Sequence, residues 1–189
     1  MRAILFYLIA VSSAAMLACD DGPVGGGGTG KPALVAGYEY INWAWGFQQE
    51  YVLIDERGTV WQSFPSEDDS LFSLDTLSSY SLADFDKLLA NADSLAIRVS
   101  LHELRRIQQL AGSVGADSIT DCIPTGNDMG SSETFLFVPN RPTANYRRVL
   151  LNQVGDFSCY NVHPATHQLD SIILQYHMRR NEDPGVDAH

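Results

Sequence analysis

At 189 residues, with 45% hydrophobic and 19% charged residues, the chain is long enough for one domain with a sizeable core. Its 12 basic side chains face 23 acidic ones, a net charge of −11, which disfavours nucleic acid as a partner and supplies no polybasic patch for a membrane surface. No internal repeat appears, and the acidity reads as solubility rather than as an acidic-surface function.

The amino terminus carries the strongest signal. Arg2 precedes an apolar run from Ala3 to Leu17 that closes on Met16-Leu17-Ala18-Cys19. A charged start, a short apolar segment and a small residue before a cysteine resemble the lipobox-type signal peptide of bacterial lipoproteins, with Met16 standing where that family prefers Leu. The resemblance implies cleavage before Cys19 and a diacylglycerol on its sulfur. A further acyl chain on its amino group, of the palmitate kind, would complete a stable anchor, because two or three chains hold where one does not. The implied location is the bacterial cell envelope, with the domain on the periplasmic or outer side of a membrane. Asp20 resembles an inner-membrane retention signal, but the sorting rule differs between lineages and the choice of membrane stays open.

Asp20-Asp21-Gly22-Pro23 and the run Gly25 to Gly30 then read as a tether. About thirteen such residues span roughly 20 Å as a flexible coil. The organisation expected is a signal peptide over 1–18, a lipidated cysteine and tether over 19–32, one globular domain over 33–180 and a charged tail over 181–189. Without Arg2, 11 basic side chains face 23 acidic ones, a balance of −12.

Within the domain, Tyr38 to Phe47 is rich in aromatics. Alternation predicts a strand with Ile41, Trp43, Trp45 and Phe47 on one face and Tyr40, Asn42 and Ala44 on the other. Tyr51–Asp55 and Thr59–Phe64 flank Glu56-Arg57-Gly58, where Gly58 suits the positive φ of a short hairpin loop. Ser81 is a plausible N-cap with Asp84 three residues on, and Ser100 repeats the pattern with Glu103. The second of these helices carries Leu104, Ile107, Leu110 and Ala111 on one face and ends at Gly112 and Gly115, so a helical pair is expected to join two β regions. Residues 117–132 read as a loop. Glu133–Val138 and Tyr146–Tyr160 read as strands, with Pro139 and Pro142 expected to prevent continuous pairing between them and Gly155-Asp156 to turn the second. Pro164 opens a final amphipathic helix that buries Ala165, Leu169, Ile172, Ile173 and Tyr176.

This order predicts an α+β domain, with a mainly antiparallel sheet from two hairpin regions packed against about three helices on one face. The hairpin Tyr51-Val52-Leu53-Ile54-Asp55-Glu56-Arg57-Gly58-Thr59-Val60 and the elements after it look like small lipoprotein domains without known activity. A fainter likeness links them to emfourin-type metalloprotease inhibitors. Both likenesses cover a hairpin motif and an element order, and no inhibitory residue carries over.

With Cys19 assigned to lipid, Cys122 and Cys159 remain as an even pair in an oxidising compartment and are expected to form a disulfide. A tight Cys-x-x-Cys redox spacing is absent. His163 and His167 have a His-x-x-x-His spacing that suits a divalent metal, but the motif lacks an internal Glu and Asp170 is weak support as a third ligand. His163 is therefore read as an N-cap-region residue and His167 as an exposed helix residue, and no metal or other cofactor is expected. Asp55, Asp68, Asp69, Asp75, Asp121 and Asp128 lack the spacing of a calcium loop. Ser78-Ser79 and Ser131-Ser132 sit in no nucleophile motif, and Arg105-Arg106 and Arg147-Arg148 read as solvated positions.

Trp43, Trp45 and Trp61, with Phe47 and Tyr51, could form a recognition platform for an envelope protein or glycan. Alternation instead favours core packing for the Trp43 face, while Trp61 or Tyr40 could be exposed. The functional expectation is a membrane-anchored, non-catalytic binding module of the cell envelope. The alternative is a lipid-anchored hydrolase or metal-binding protein whose site is assembled from residues far apart in sequence.

Overall fold

The computed structural model describes residues 32–66, 79–115 and 118–179. The expected signal peptide, Cys19, the tether up to Lys31 and the tail, and Asp68, Asp69, Asp75 and Ser78, lie outside the described residues. Among the described residues the chain builds an α+β domain around an eight-stranded antiparallel sheet with three helices. The strands are β1 (Leu34–Asn42), β2 (Gln48–Asp55), β3 (Thr59–Ser63), β4 (Asp93–Arg98), β5 (Ile123–Pro124), β6 (Ser131–Asn140), β7 (Asn145–Gly155) and β8 (Phe157–Tyr160), in the order β4-β3-β2-β1-β6-β7-β8-β5. The helices are α1 (Leu82–Leu88), α2 (Leu101–Ala111) and α3 (Thr166–Arg179).

Local chemistry fixes many of these bounds. Gly58 has φ 77° in the β2–β3 turn, where Asp55 Oδ1 accepts from the backbone N–H groups of Arg57 and Thr59. Ser81 and Asp84 form the full reciprocal capping box of α1, and the Ser100 hydroxyl accepts from Glu103 N–H at the start of α2. Gly155, with φ 138°, turns β7 into β8, and a Cβ there would stand 2.0 Å from the Gly130 carbonyl oxygen.

The helices cover both faces of the sheet rather than one. Ala36, Val52, Ile54, Leu136, Val149 and Leu151 pack with Leu104 and Ile107 of α2 and Leu169, Ile173 and Tyr176 of α3. The opposite parity of the same strands, Tyr51, Leu53, Phe135 and Phe137, packs with Phe85, Leu88 and Leu89 around α1. A strand residue of each parity is apolar, so both sides of the central strands need a cover.

Three further expectations change. β4 lies between α1 and α2, so these do not form a simple helical pair; its alternately half-buried residues pair with β3 at the sheet edge. Pro139 does not stop pairing, since it sits opposite Tyr146 in a ladder that continues to Asn140 and Asn145. Tyr146 directs its backbone N–H and carbonyl to Tyr80, so the missing proline N–H removes no bond from the β6–β7 ladder. The first strand starts at Leu34 and ends at Asn42, before the tryptophans. Asn42 Oδ1 accepts from Ala44 N–H and Gly46 adopts φ 96°, which bends the chain out of extended geometry.

Candidate functional site

Because β1 stops at Asn42, the alternation that would have buried Trp43 and Trp45 does not apply to them. They are 58% and 81% exposed at the tip of the β1–β2 hairpin, where Trp43 packs against half-buried Phe47 with ring centroids 4.7 Å apart. Trp61 belongs elsewhere. It is half-buried against the Phe85 side of the core, and its indole N–H donates to Asp55 Oδ2 at 2.9 Å, at the far end of β2. The three tryptophans therefore do not form one platform.

The register shows what does accompany Trp43 and Trp45. Ile41 pairs with Ser131, Ser131 with Gly155, and Tyr51 with Ser63, so the hairpin tip shares one end of the sheet with the end of β3, the start of β6 and the β7–β8 turn. Phe64, Met129, Val154 and Phe157 are all exposed at that same end. Single exposed apolar residues are ordinary, whereas a row of large ones at successive strand ends marks a surface suited to contact.

A second feature was illegible in the sequence. Glu39 of β1 lies directly opposite Glu133 of β6, a like-charge cross-strand pair that is unfavourable by itself. Arg148 resolves it. Its guanidinium lies over the Phe135 ring, 4.4 Å from the centroid, and reaches Glu133 at 2.6 Å and Glu39 at 3.4 Å. Gln49 Nε2 donates to Glu39 Oε1 at 2.8 Å and also to the Tyr51 hydroxyl. Arg148 is thus not the solvated strand residue expected, although Arg147 is exposed. Burial pushes the Glu39 carboxyl up to about 7, against the opposing pull of Arg148 and Gln49. The Tyr51 hydroxyl is also pushed up, by burial and then by the Glu39 carboxylate.

A third feature gathers residues singled out for their chemistry. A cavity of about 410 Å³ at the start of α3 is lined by Asn152, Tyr160, His163, Thr166, His167 and Asp170, among others. His163 N–H donates to Asn161 Oδ1, while its Nδ1 accepts from Ala165 N–H at 3.2 Å, the N-cap-region role expected of it. His167 is exposed. Among the described residues, no three His, Cys, Asp or Glu side chains stand close enough together to hold a metal ion. Asp170 instead accepts from Thr134 Oγ1 and, at 3.4 Å, from Asn152 Nδ2.

Cys122 and Cys159 are joined in a disulfide across a sequence separation of 37 residues. The bond ties β5 to β8 beside this cavity, and the adjacent Tyr160 exchanges backbone contacts with Thr120: its carbonyl accepts from Thr120 N–H and its N–H donates to Thr120 Oγ1. Asp121 and Asp128 are separate exposed loop residues, and Asp55 is committed to its turn. Comparison with family models, characterised proteins and solved structures finds no match to this chain.

Proposed function

We propose that the chain is a lipid-anchored protein of the bacterial cell envelope whose domain is a non-catalytic module that binds a protein partner through the apolar end of its sheet. The observation that carries the binding reading is the exposure of Trp43 and Trp45 at a hairpin tip, in line with Phe64, Met129, Val154 and Phe157. Tryptophan gives large contact area at small entropic cost and is a frequent energetic anchor of interfaces. Its polar N–H also suits a surface that must remain in water when unoccupied.

The geometry fits the proposed anchor. Ala33 enters β1 at the end opposite Asn42, and nine extended residues separate the two ends by about 30 Å. A domain held by its amino-terminal tether would turn the tryptophan end away from the membrane that holds it.

Two experiments test the two halves of this reading. Cys19→Ala is expected to move the protein from the membrane to the soluble fraction after cell lysis; unchanged membrane retention would remove the lipid anchor. For binding, the full chain is used to capture partners from detergent-solubilised envelope beside a Trp43→Ala/Trp45→Ala variant. One stoichiometric protein retained by the parent and weakened about 100-fold or more by the double substitution is expected, as anchors of this kind each contribute 2 kcal/mol or more. Equal recovery by parent and variant would dismiss the hairpin tip as the interface.

A further inference from the structure

We propose that the end of the sheet where the chain enters β1 is a docking surface for an anionic phospholipid bilayer. Net charge alone argues against such a surface, since 23 acidic side chains face 12 basic ones. The fold redistributes them.

β1 starts beside the β2–β3 turn, where Glu56 N–H donates to the Ala33 carbonyl. Arg57 lies in that turn, Arg98 closes β4 opposite Thr59, and Arg141 and Arg147 belong to the β6–β7 turn and the start of β7. Arg105, one turn into α2, lines a cavity with Ala33, Glu56 and Tyr146. These arginines are all exposed, and none forms an ion pair among the described residues. Of the carboxylates at this end, Asp55 is buried in its turn, Asp84 is held by Ser81, Glu103 is held by Ser100 and Tyr176, and Glu56 is exposed. The opposite end instead carries Asp93, Asp128 and Asp156. Residues far apart in sequence thus make a basic surface that no run of the sequence announces.

Two leucines complete it. The Tyr80–Tyr146 pairing and the Val99 N–H bond to the Gly58 carbonyl set the starts of α1 and α2 at this end. Their first residues, Leu82 and Leu101, are 52% and 70% exposed. The two helices cover opposite faces of the sheet, so a leucine flanks the arginine-bearing strand ends on each side.

This arrangement suits a lipid surface. Guanidinium groups pair with phosphate oxygens while their stems and the leucines enter the headgroup boundary. The bilayer as occupant rests on the proposed anchor at Cys19. The tether leads from that residue to this end of the sheet, and a coil spanning roughly 20 Å keeps the surface within reach of the membrane, which makes docking an intramolecular step.

The test places a polarity-sensitive fluorophore at Leu101→Cys in the full chain and, separately, at Phe64→Cys at the opposite end. Each protein is mixed with excess vesicles of phosphatidylcholine, or of two parts phosphatidylcholine to one part phosphatidylglycerol. The probe at position 101 is expected to shift to the blue with anionic vesicles and not with neutral ones. It should revert when salt reaches about 1 M, where the screening length is about 3 Å. The probe at position 64 should stay unchanged. Arg57→Ser/Arg141→Ser, at two exposed turn positions, should lower the ratio of docked to free probe about 30-fold at an unchanged melting temperature, each arginine contributing about fivefold. Excess vesicles make this readout independent of lipid on Cys19, which Cys19→Ala reports separately. No shift with anionic vesicles, an equal shift with neutral ones, an equal shift at position 64, or a shift with soluble polyglutamate in place of vesicles overturns the proposal.

Discussion

Replacing Arg148 with Met is expected to lower the unfolding free energy by about 3–5 kcal/mol above neutral pH, because the buried side chains of Glu39 and Glu133, opposite each other across β1 and β6, lose the guanidinium that contacts both. The measure is a denaturant midpoint shift at unchanged slope. The loss should shrink in acid, where protonation relieves the repulsion. A midpoint within a few tenths of a kcal/mol of the parent would show that the guanidinium contributes nothing net.

The parent protein has its own pH dependence. Glu39 titrates at about 7 when folded, against 4.5 as its ordinary value, so between these limits the folded state binds more protons than the unfolded one. Its contribution is therefore favourable to folding at acidic pH and is lost as pH rises through about 7, an effect on the order of 3 kcal/mol. Glu39→Gln, which keeps shape and removes the charge, should flatten that part of the profile. Persistence of the same slope in the Gln variant would assign it to other groups.

The second large effect concerns the disulfide. Cys122→Ala/Cys159→Ala is expected to cost about 3–4 kcal/mol from the unconstrained unfolded chain for a loop of this length. Locally the consequence should be sharper. β5 pairs with β8 through just two residue pairs, Ile123 with Ser158 and Pro124 with Phe157, at the edge of the sheet. Amide exchange should accelerate first around 119–125 and 157–160, ahead of β1 and β6. A melting temperature insensitive to reductant would contradict this account.

The sequence carried local signals well and non-local ones poorly. Gly58, the serine caps of α1 and α2, the Gly155 turn and the face of α3 each depend on neighbours within a few residues, and each took the form expected, except that on α3 Leu169, Ile173 and Tyr176 are buried together with Thr166 and Asp170 while Ala165 and Ile172 are half-buried. Trp43 and Trp45 misled because the alternation of residue types runs on past Asn42, whereas the extended backbone does not. β4 was obscured by its mixed polarity as an edge strand and by the helices on either side. The Glu39, Glu133 and Arg148 cluster could not be seen without register. Glu39 meets Glu133 across 94 residues, and Arg148 faces Phe137 yet reaches along the sheet to Glu133. The charged residues inside strands at inward parity were the available hint, and it named no partners. Tyr160, His163, Thr166 and Asp170 likewise converge through the β8–α3 connection, which spacing alone does not describe.

The position of β1 has a mechanical meaning. It is an interior strand, hydrogen-bonded to β2 on one side and to β6 on the other over Ala36 to Ile41, with chain entry at its lower end and the tryptophan hairpin at its upper end. A pull that enters at the start of β1 and leaves through the ends of the neighbouring strands, where Phe64 and Met129 stand beside the hairpin, loads the antiparallel ladders flanking β1 in shear, so that their hydrogen bonds must yield together instead of opening one at a time. The sheet would hold under such tension as a lap joint does, with its weaker, two-pair seam between β5 and β8 kept outside the line of force.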